Sequence, residues 1–495
     1  MTPAEIIGRL ASIGVRPAGV TDDSRKISRG DLFMAYPGGS SDGRLYIADA
    51  LKRRAAAVVW DCSDGFSWNS GWEIAHLAVP GLRQLRGPLA HTIFGQPSER
   101  LSLIAITGTN GKTSASQWIG ELYPQRCAII GTLGAGFAGH LEDTGLTTPE
   151  ATVLMRYLKE FSAEEARACV LEASSIGIDE GRMDGLRVDV AVFTNFTRDH
   201  LDYHGSIERY AEAKEKLFRW PRLRLAIINI DDPFGRELAE RTTAHKVVAY
   251  SQSGETARQW QGAIFAENVE ENSNGLRFHL HTPVGGVFVE TSLIGRYNVS
   301  NLLAAAAVLI DAGMSPVRIA ECFSRLSAPP GRLEKVVPED AGEIDDPLVI
   351  VDYAHTPDAL KSVLLALREQ ARSRGGELWA VFGCGGNRDA GKRFLMGEIA
   401  ARLADRVVLT SDNPRNETVL EIIEDIRAGA PDSIVIEDRR DAIRQSILKA
   451  SSSDVVLLAG KGHEPYQEIA GVRQPFSDAK EARAALLSRR EGLHP

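Results

Sequence analysis

The chain has 495 residues, of which 43% are hydrophobic and 25% are charged, and its formal net charge is −9. This length exceeds what one hydrophobic core usually supports and predicts about three domains, while the composition is that of a soluble globular protein. An acidic chain without a long basic block is not expected to bind nucleic acid.

The first block, residues 1–98, is predicted to form a small α/β module. An amphipathic helix over 4–13 comes first, and strands over 31–36 and 55–60 flank a helix over 47–54. Polar turns at 23–26 and 37–43 suit a bound ligand, although solvated turns are the simpler interpretation.

A strand, a turn and a helix open the second block, residues 99–331. The apolar run 103–106 predicts a buried strand, 114–122 predicts a helix, and small residues fill the turn between them. Backbone N–H groups and the helix dipole favour a polyphosphate there, with Lys112 on its outer phosphates and the Thr113 hydroxyl on Mg²⁺. The full phosphate-loop pattern places its first glycine at Ile106, so the loop is predicted to be shortened. A Gly-Lys-Thr triplet in an unrelated turn is the alternative.

Two further strands of this block are predicted to end beside the phosphate loop. The strand over 168–172 ends in Glu172, and the strand over 188–193 leads into the segment that carries His200. Ligands collect beyond the carboxyl ends of parallel strands, so both side chains are expected near Thr113 around Mg²⁺. A structural histidine is the alternative for His200. Lys214, on a helix predicted over 207–217, looks by composition like a surface lysine.

Alternating apolar residues over 276–281 and 286–290 predict a small antiparallel appendage within residues 244–294. Beyond it, Asn298 and Asn301 open an alanine-rich helix predicted to reach residue 312.

In the third block, from residue 332 onward, strands over 348–351, 378–382, 406–410 and 455–459 are predicted to deliver polar loops to one sheet edge. Arginines there can clamp a carboxylate, and Asp412 with Glu464 can hold an ammonium, which indicates a zwitterionic ligand. A loop with the GxGxxG pattern follows residue 382, but alone it is only weak evidence for a dinucleotide-binding site.

Several motifs together resemble the Mur ligase family of bacterial cell-wall synthesis, and the resemblance covers nearly the whole chain. They are Thr-Gly-Thr-Asn-Gly-Lys-Thr at 107–113, Thr-Thr-Pro at 147–149, Asn-Phe-Thr-Arg-Asp-His-Leu-Asp at 195–202, Gly-Arg at 331–332, Asp-Tyr-Ala-His at 352–355 and Gly-Lys-Gly-His-Glu at 460–464. In addition, Asp-Asn-Pro-Arg at 412–415 resembles the signature of family members that add meso-2,6-diaminopimelate.

The resemblance implies an α/β fold of three domains. These are a small UDP-binding domain (1–98), a central phosphate-loop ATPase domain built on a parallel sheet (99–331) and a Rossmann-like amino-acid-binding domain (332–495). The implied enzyme is an ATP-dependent acid–amino-acid ligase of peptidoglycan synthesis, and hence of cell shape and division. It would add diaminopimelate to UDP-N-acetylmuramoyl-L-alanyl-D-glutamate through an acyl phosphate, forming ADP and phosphate.

The resemblance also implies the site residues, which fall into four groups. The ATP group is Gly108, Thr109, Asn110, Gly111, Lys112, Thr113, Ser114, Asn298, Asn301, Arg332 and Asp352. The UDP-muramoyl-dipeptide group is Ser24, Arg25, Asp42, Gly43, Thr147, Thr148, Ser174, Glu180 and Arg182. The diaminopimelate group is Arg388, Asp412, Asn413, Pro414, Arg415, Gly460 and Glu464. The catalytic group is Lys112, Glu172, His200 and Lys214, with Mg²⁺ held by Thr113, Glu172, His200 and a carbamylated Lys214 (N6-carboxylysine).

The chain departs from the family pattern at a few positions. Ile176 stands where relatives usually have histidine, Glu180 where they often have glutamine, Asn387 where they often have aspartate and Phe394 where they often have proline. Loss of the imidazole at position 176 removes a polar group from the dipeptide side.

Two other interpretations remain open. An L-lysine-adding or folylpolyglutamate-type ligase shares the chemistry, and a phosphate-loop switch or motor ATPase shares only the nucleotide site.

The location in the cell follows from three features of the sequence. The five cysteines are scattered and form neither a disulfide framework nor a CxxC pair. The apolar run 302–310 is far shorter than the ~18 residues that span a bilayer, and the amino terminus lacks a signal-peptide pattern. We therefore expect a cytoplasmic monomer without membrane or nucleic-acid partners, which acts on small molecules.

Overall fold

A computed structural model of the chain describes residues 1–39, 41–272, 274–338 and 346–493. Its strands form four sheets, of four, eleven, six and two strands. No helix within the described ranges is long and apolar enough to cross a lipid bilayer.

The first sheet is fully parallel, in the order β1-β2-β3-β4. Its strands are β1 (Gly19–Thr21), β2 (Asp31–Ala35), β3 (Ala57–Trp60) and β4 (His76–Ala78). Its helices are α1 (Pro3–Ser12), α2 (Ile47–Lys52) and α3 (Leu82–Ile93). A capping box between Thr2 and Glu5 fixes the start of α1, which buries Ile6 and Leu10. The predicted elements of this block are confirmed, and β1, β4 and α3 are elements that the sequence analysis did not predict.

The second sheet has the order β15-β14-β13-β12-β11-β10-β5-β9-β6-β7-β8. Its strands are β5 (Ser102–Thr107), β6 (Cys127–Gly131), β7 (Gly134–Phe137), β8 (His140–Glu142), β9 (Ala168–Glu172), β10 (Val190–Phe193), β11 (Leu225–Asn229), β12 (Lys246–Ser251), β13 (Ile264–Asn272), β14 (Gly275–Thr282) and β15 (Gly285–Thr291). Its helices are α4 (Lys112–Leu122), α5 (Ala151–Ala163), α6 (Ser175–Asp179), α7 (Leu201–His204), α8 (Ile207–Phe218), α9 (Pro233–Arg241), α10 (Gly254–Ala257), α11 (Tyr297–Asp311) and α12 (Pro316–Phe323).

The predicted antiparallel appendage is confirmed, since β14 pairs antiparallel with both β13 and β15, and it is joined to the edge of the second sheet. β13 pairs in parallel with β12, and β14 and β15 then continue the same sheet as an antiparallel extension. The alternating pattern identified the strands correctly. It did not show that these strands join the sheet through β12, because the alternation of apolar residues indicates a strand but not its pairing partner.

The third sheet has the order β16-β17-β21-β18-β19-β20, with only β16 antiparallel to its neighbour. Its strands are β16 (Glu334–Lys335), β17 (Leu348–Asp352), β18 (Leu378–Phe382), β19 (Arg406–Leu409), β20 (Ile434–Val435) and β21 (Val455–Ala459), followed by a hairpin of β22 (Tyr466–Ile469) and β23 (Val472–Pro475). Its helices are α13 (Pro357–Arg374), α14 (Gly391–Leu403), α15 (Val419–Arg427), α16 (Arg439–Lys449) and α17 (Asp478–Leu493). The four predicted strands end at one edge, as expected.

One buried apolar cluster joins the first and second sheets. It contains Leu89 of α3, Leu158 of α5 and Ala105 of β5, all fully buried. Because apolar burial stabilises by roughly 25 cal/mol per Å² of surface removed from water, this shared core holds the first module against the second.

Candidate active site

The phosphate loop lies between the end of β5 and the start of α4. Gly108 has φ +151° and Gly111 has φ +85°. A Cβ on Gly108 would lie 1.8 Å from Thr194 Oγ1, and one on Gly111 would lie 2.2 Å from Asn301 Oδ1. Only glycine fits both positions. Gly108 is therefore the first glycine of the loop, two residues after Ile106, where the full phosphate-loop pattern has its first glycine.

Lys112, the first residue of α4, folds back over this loop. Its Nζ donates hydrogen bonds to the carbonyl oxygens of Gly108 at 2.8 Å and Thr109 at 3.0 Å. Burial lowers the pKa of Lys112, while the nearby Glu172 and Asp199 carboxylates act in the opposite direction. The ammonium therefore lies over the turn where a phosphate group would be bound.

Glu172 lies below the loop and is completely buried. Its carboxylate accepts hydrogen bonds from the hydroxyls of Thr113 (3.0 Å), Ser116 (3.2 Å) and Thr132 (2.9 Å), and from the Thr132 backbone N–H (3.1 Å). The Thr113 hydroxyl in turn accepts a hydrogen bond from Arg332 Nη2 at 3.3 Å. Arg332 precedes the third sheet, so this contact connects it to the phosphate loop.

A cavity of about 460 Å³ opens in front of the loop. Its lining combines residues from the second and third sheets, and it includes every residue of the predicted ATP group together with His200 and Lys214. The cavity therefore brings together segments that are far apart in the sequence. This agrees with the expectation that ligands bind beyond the carboxyl ends of parallel strands.

Lys214 of α8 is buried, with 1% of its surface exposed, so its interpretation as a surface lysine is wrong. Its Nζ lies 4.4 Å from the centre of the Tyr210 ring. Burial holds the pKa of Lys214 well below its usual range, and the neighbouring charge of Lys112 adds to this effect. The amine is therefore readily available in its neutral, nucleophilic form.

His200 stands at the start of α7 with φ +51°. Its Nε2 lies 3.4 Å from a carboxylate oxygen of Asp199, which also accepts a hydrogen bond from the His200 backbone N–H at 2.8 Å. Desolvation lowers the pKa of His200, which favours the neutral imidazole that a metal ligand requires. Asp199 was not among the predicted site residues, although it adjoins His200 in the motif at 195–202.

Residues of the predicted dipeptide group in the second module form one cluster. Thr148 Oγ1 lies 2.9 Å from Ser174 Oγ, and Arg182 Nη1 donates to the Thr148 carbonyl oxygen at 2.7 Å. Glu180 forms an ion pair with Arg182 at 2.7 Å. Thr147 Oγ1 lies 3.1 Å from the Thr132 hydroxyl, which links the cluster to Glu172.

The predicted residues of the first module follow β1 and β2, at one end of the sheet. Ser24 and Arg25 begin a 3₁₀ turn, and the Arg25 side chain is largely exposed and paired with Asp23 at 2.9 Å. Asp42 caps the 3₁₀ turn that starts at Gly43, and its carboxylate pairs with the buried Arg44 at 2.8 Å. The sequence analysis did not predict Arg44 as a site residue, because a single arginine in a polar turn gives no indication that it is buried.

The predicted diaminopimelate group lies at the carboxyl edge of the third sheet. Asn413 Nδ2 donates to Glu464 Oε2 at 2.8 Å, and the fully buried Lys461 donates to Asn413 Oδ1 at 3.0 Å and to the same Glu464 oxygen at 3.1 Å. Asp412 directly precedes Asn413. Gly460 follows the end of β21, and its backbone N–H donates to the Asp352 carbonyl oxygen at 3.1 Å.

The two arginines of this group flank Gly385. A Cβ on that glycine would lie 2.9 Å from Arg415 Nη1 and 3.9 Å from Arg388 Cγ. Arg415, with φ +52° after Pro414, donates to the Gly386 carbonyl oxygen at 2.8 Å. Arg388 is more exposed and lies 3.8 Å from a carboxylate oxygen of Asp202 in the second module.

Two buried cations of this edge were not predicted as functional residues. Lys461 was noted only as part of the 460–464 motif. Arg439 is completely buried, pairs with Asp478 at 2.6 Å and donates to the carbonyl oxygens of Ser411 at 3.2 Å and Ala459 at 2.9 Å. It therefore fixes the strand ends that carry Asp412 and Gly460.

Three family descriptions match the chain along its length. They are "Mur ligase family, catalytic domain" over residues 17–81, "Mur ligase middle domain" over 106–309 and "Mur ligase, glutamate ligase domain" over 331–462. These matches, together with relatives that are similar over almost the whole chain, show that the chain belongs to the Mur ligase family.

The relatives carry a more specific name. UDP-N-acetylmuramoyl-L-alanyl-D-glutamate--2,6-diaminopimelate ligase of Janthinobacterium sp. (strain Marseille) is 44% identical over 488 residues, covering 95% of this chain and 94% of that protein. The protein of the same name from Chromobacterium violaceum is 46% identical over 486 residues, covering 97% and 96%. A solved structure of a ligase with this name is 37% identical, covers 96% and 95% of the two chains and has a TM-score of 0.67.

Proposed function

We propose that this chain is the ATP-dependent amide ligase that adds meso-2,6-diaminopimelate to UDP-N-acetylmuramoyl-L-alanyl-D-glutamate in peptidoglycan synthesis. The observation that carries the proposal is the cavity in which the phosphate loop faces residues of the third sheet, with Arg332 bonded to Thr113 between them. The choice of amino acid is supported by the segment 412–415 and by the names of the relatives.

The reaction must convert a carboxylate, which is a poor electrophile, into an acylating group. ATP phosphorylates the γ-carboxylate of the D-glutamate end, giving an acyl phosphate and ADP. Lys112 and Arg332 stabilise the negative charge that spreads over the transferred phosphoryl group. The neutral amine of diaminopimelate then attacks the acyl carbon, and the tetrahedral intermediate collapses to an amide and inorganic phosphate.

A carbamate on Lys214 would give this site an additional oxygen ligand for Mg²⁺. Mg²⁺ prefers oxygen ligands, yet the described part of the chain contains no group of three or more His, Cys, Asp or Glu side chains arranged to hold a metal. Carbamylation of the Lys214 amine by CO₂ would add a carboxylate to Glu172, the Thr113 hydroxyl and the neutral His200. Bound Mg²⁺ would supply charge stabilisation for the phosphates.

Each module has a separate task in this proposal. Residues 1–98 bind the UDP end, 99–331 bind ATP and the dipeptide, and 332–495 bind diaminopimelate. Because an acyl phosphate hydrolyses in water, the third module must close over the second during the reaction, and Arg332 is placed to hold the closed state. The substrates are small cytoplasmic molecules.

The proposal is tested by incubating the protein with ATP, UDP-muramoyl-dipeptide and either diaminopimelate or L-lysine, then weighing the products. We expect the mass of the diaminopimelate adduct and release of phosphate in equal amount. An adduct with lysine alone would identify a lysine-adding ligase, and ATP consumption without any adduct would identify a switch or motor ATPase. In a parallel incubation with ATP, a folate and glutamate, extension of the folate would identify a folylpolyglutamate-type ligase.

Replacing Arg415 by lysine is expected to raise the KM for diaminopimelate about tenfold or more, with little change in the KM for ATP. A lysine ammonium cannot reproduce the two parallel hydrogen bonds that a guanidinium makes to a carboxylate. Steady-state kinetics with each substrate varied in turn measures the effect. Equal changes in both KM values would remove Arg415 from the amino-acid pocket.

Replacing Lys461 by methionine is expected to raise the KM for diaminopimelate about tenfold while leaving the KM for ATP unchanged. Loss of the ammonium removes the charged donor of both the Glu464 oxygen and Asn413 Oδ1, a kind of hydrogen bond worth roughly 1.5–3 kcal/mol. Each atom keeps one neutral donor, the Asn413 amide and the Glu468 N–H respectively, so the two side chains are held less firmly. Arg368→Met is the matched control, because Arg368 pairs with Asp405 in the same module, away from this edge. If both variants lose stability and neither changes the KM for diaminopimelate, Lys461 is purely structural.

A further inference from the structure

Arg182 is the cation that the proposed function assigns to the dipeptide, but its donors are already engaged. Its Nε donates to Glu180 Oε2 at 2.8 Å, its Nη2 lies 2.7 Å from the same oxygen, and its Nη1 donates to the Thr148 carbonyl oxygen at 2.7 Å. Only 10% of the Arg182 side chain is exposed, so solvent does little to weaken the Glu180 pair. A substrate carboxylate that binds Arg182 would therefore have to approach a guanidinium already paired with the Glu180 carboxylate.

A second acid adds to the negative charge around Arg182. A carboxylate oxygen of Glu150 lies 3.3 Å from Arg182 Nη2. Burial raises the pKa of Glu150, and the charges of Asp22 and Glu180 act in the same direction, whereas the charges of Arg182 and Arg86 lower it. Arg86 is also buried here, but it donates to the backbone carbonyl oxygen of Glu180 and leaves the carboxylate of that residue to Arg182. Two carboxylates thus contact the Arg182 guanidinium, and the charge of Arg86 acts on Glu150 as well.

The substrate in the proposed function brings a further negative charge to this cluster. Of the two carboxylates on its D-glutamate end, the γ-carboxylate is activated, whereas the α-carboxylate stays anionic throughout the reaction and needs a cation. Like charges about 4 Å apart near a protein surface repel by several kcal/mol before screening. Glutamine at position 180 would keep an acceptor for Arg182 without that repulsion.

We propose that Glu180 competes with the α-carboxylate of the dipeptide for Arg182, and so determines how tightly this chain binds its nucleotide-sugar substrate. Glu180 is then not a ligand of the dipeptide but an internal substitute for its carboxylate, which must be displaced when the substrate binds. The inference rests on the proposed function and refines the dipeptide site within it.

Glu180→Gln is the direct test, because it removes the charge and keeps the shape. We expect the Kd for UDP-muramoyl-L-alanyl-D-glutamate, measured by calorimetry, and the corresponding KM to fall about tenfold, while the KM values for ATP and diaminopimelate change less than about twofold. Asp179→Asn is the matched control, since Asp179 is the preceding residue but pairs with Lys216 at 2.6 Å, and it should leave all constants unchanged. Thermal unfolding of each variant checks that the fold is retained.

Two further measurements show whether the effect acts on the α-carboxylate. With UDP-muramoyl-L-alanyl-D-isoglutamine, in which that carboxylate is a neutral amide, Glu180→Gln should no longer strengthen binding. Glu150→Gln should shift the Kd for the acid form in the same direction but by less, because Glu150 is farther from Arg182 and more exposed.

An unchanged or raised Kd for the acid form in Glu180→Gln would overturn the inference, as would equal strengthening with the amide. Either result in an otherwise active enzyme leaves the proposed function intact. Failure of the unmodified protein to bind the nucleotide-sugar dipeptide or to form product would instead overturn the proposed function itself.

Discussion

Replacing Lys112 by methionine is expected to lower kcat on the order of 10³-fold. The Lys112 ammonium is the cation that lies over the phosphate turn, held by the carbonyl oxygens of Gly108 and Thr109. Methionine is similar in length and apolar, so the variant removes the charge and both hydrogen bonds without leaving a large cavity. The transferred phosphoryl group then loses a charged donor inside a site from which water is excluded.

The loss should appear in ADP release and in amide formation to the same degree, because Lys112 acts before the amine attacks. Lys246→Met is the control for the loss of one lysine, because Lys246 is exposed at the start of β12, away from the phosphate loop. This variant should retain full activity. Thermal unfolding separates a catalytic effect from a folding defect. A kcat within about tenfold of the unmodified protein would show that Lys112 does not act on the phosphates.

Replacing Lys214 by alanine is expected to reduce activity on the order of 10³-fold, with partial recovery when formate, acetate or propionate is added. The physical basis is the buried amine, whose lowered pKa makes the neutral, CO₂-reactive form available. Carbamylation would convert that amine into an anionic oxygen ligand. Truncation to alanine removes the ligand and leaves space in which a small free carboxylate can take its place.

Lys216→Ala is the matched control for this variant, since Lys216 lies two residues further along α8 and is half exposed. It should remain active and show no response to added carboxylates. Carbon NMR with ¹³C-bicarbonate provides a readout independent of activity, in which a carbamate resonance appears in the unmodified protein and is absent from Lys214→Ala. Full activity of Lys214→Ala without added carboxylate would rule out the carbamate.

The sequence predicted those parts of the fold that leave a local signal. The apolar run before the phosphate loop, the small residues of the turn and the helix after it identified β5 and α4 to within two residues. The convergence of ligand-binding residues at the carboxyl ends of parallel strands predicts Glu172 beside Thr113, and the two side chains are hydrogen-bonded at 3.0 Å. Both inferences needed only the period of the apolar pattern and the geometry of parallel sheets.

Properties that depend on packing between distant segments could not be predicted. Lys214 looks like a surface residue because its burial is created by elements remote in sequence, and Lys461 and Arg439 are buried cations for the same reason. The role of Gly108 also gives no local signal, since it is set by Thr194, which directly follows the neighbouring strand β10. Only the resemblance to a family assigned a role to Lys214.

The central claim, that a phosphorylated carboxylate is the intermediate, is tested most directly by isotope transfer. The dipeptide substrate is prepared with ¹⁸O in the γ-carboxylate of its glutamate and is incubated with the protein, ATP and diaminopimelate. Mass spectrometry of the released phosphate should then show one ¹⁸O atom for each amide formed. Phosphate free of label, or ATP consumed while the nucleotide-sugar peptide keeps its original mass, would contradict the account.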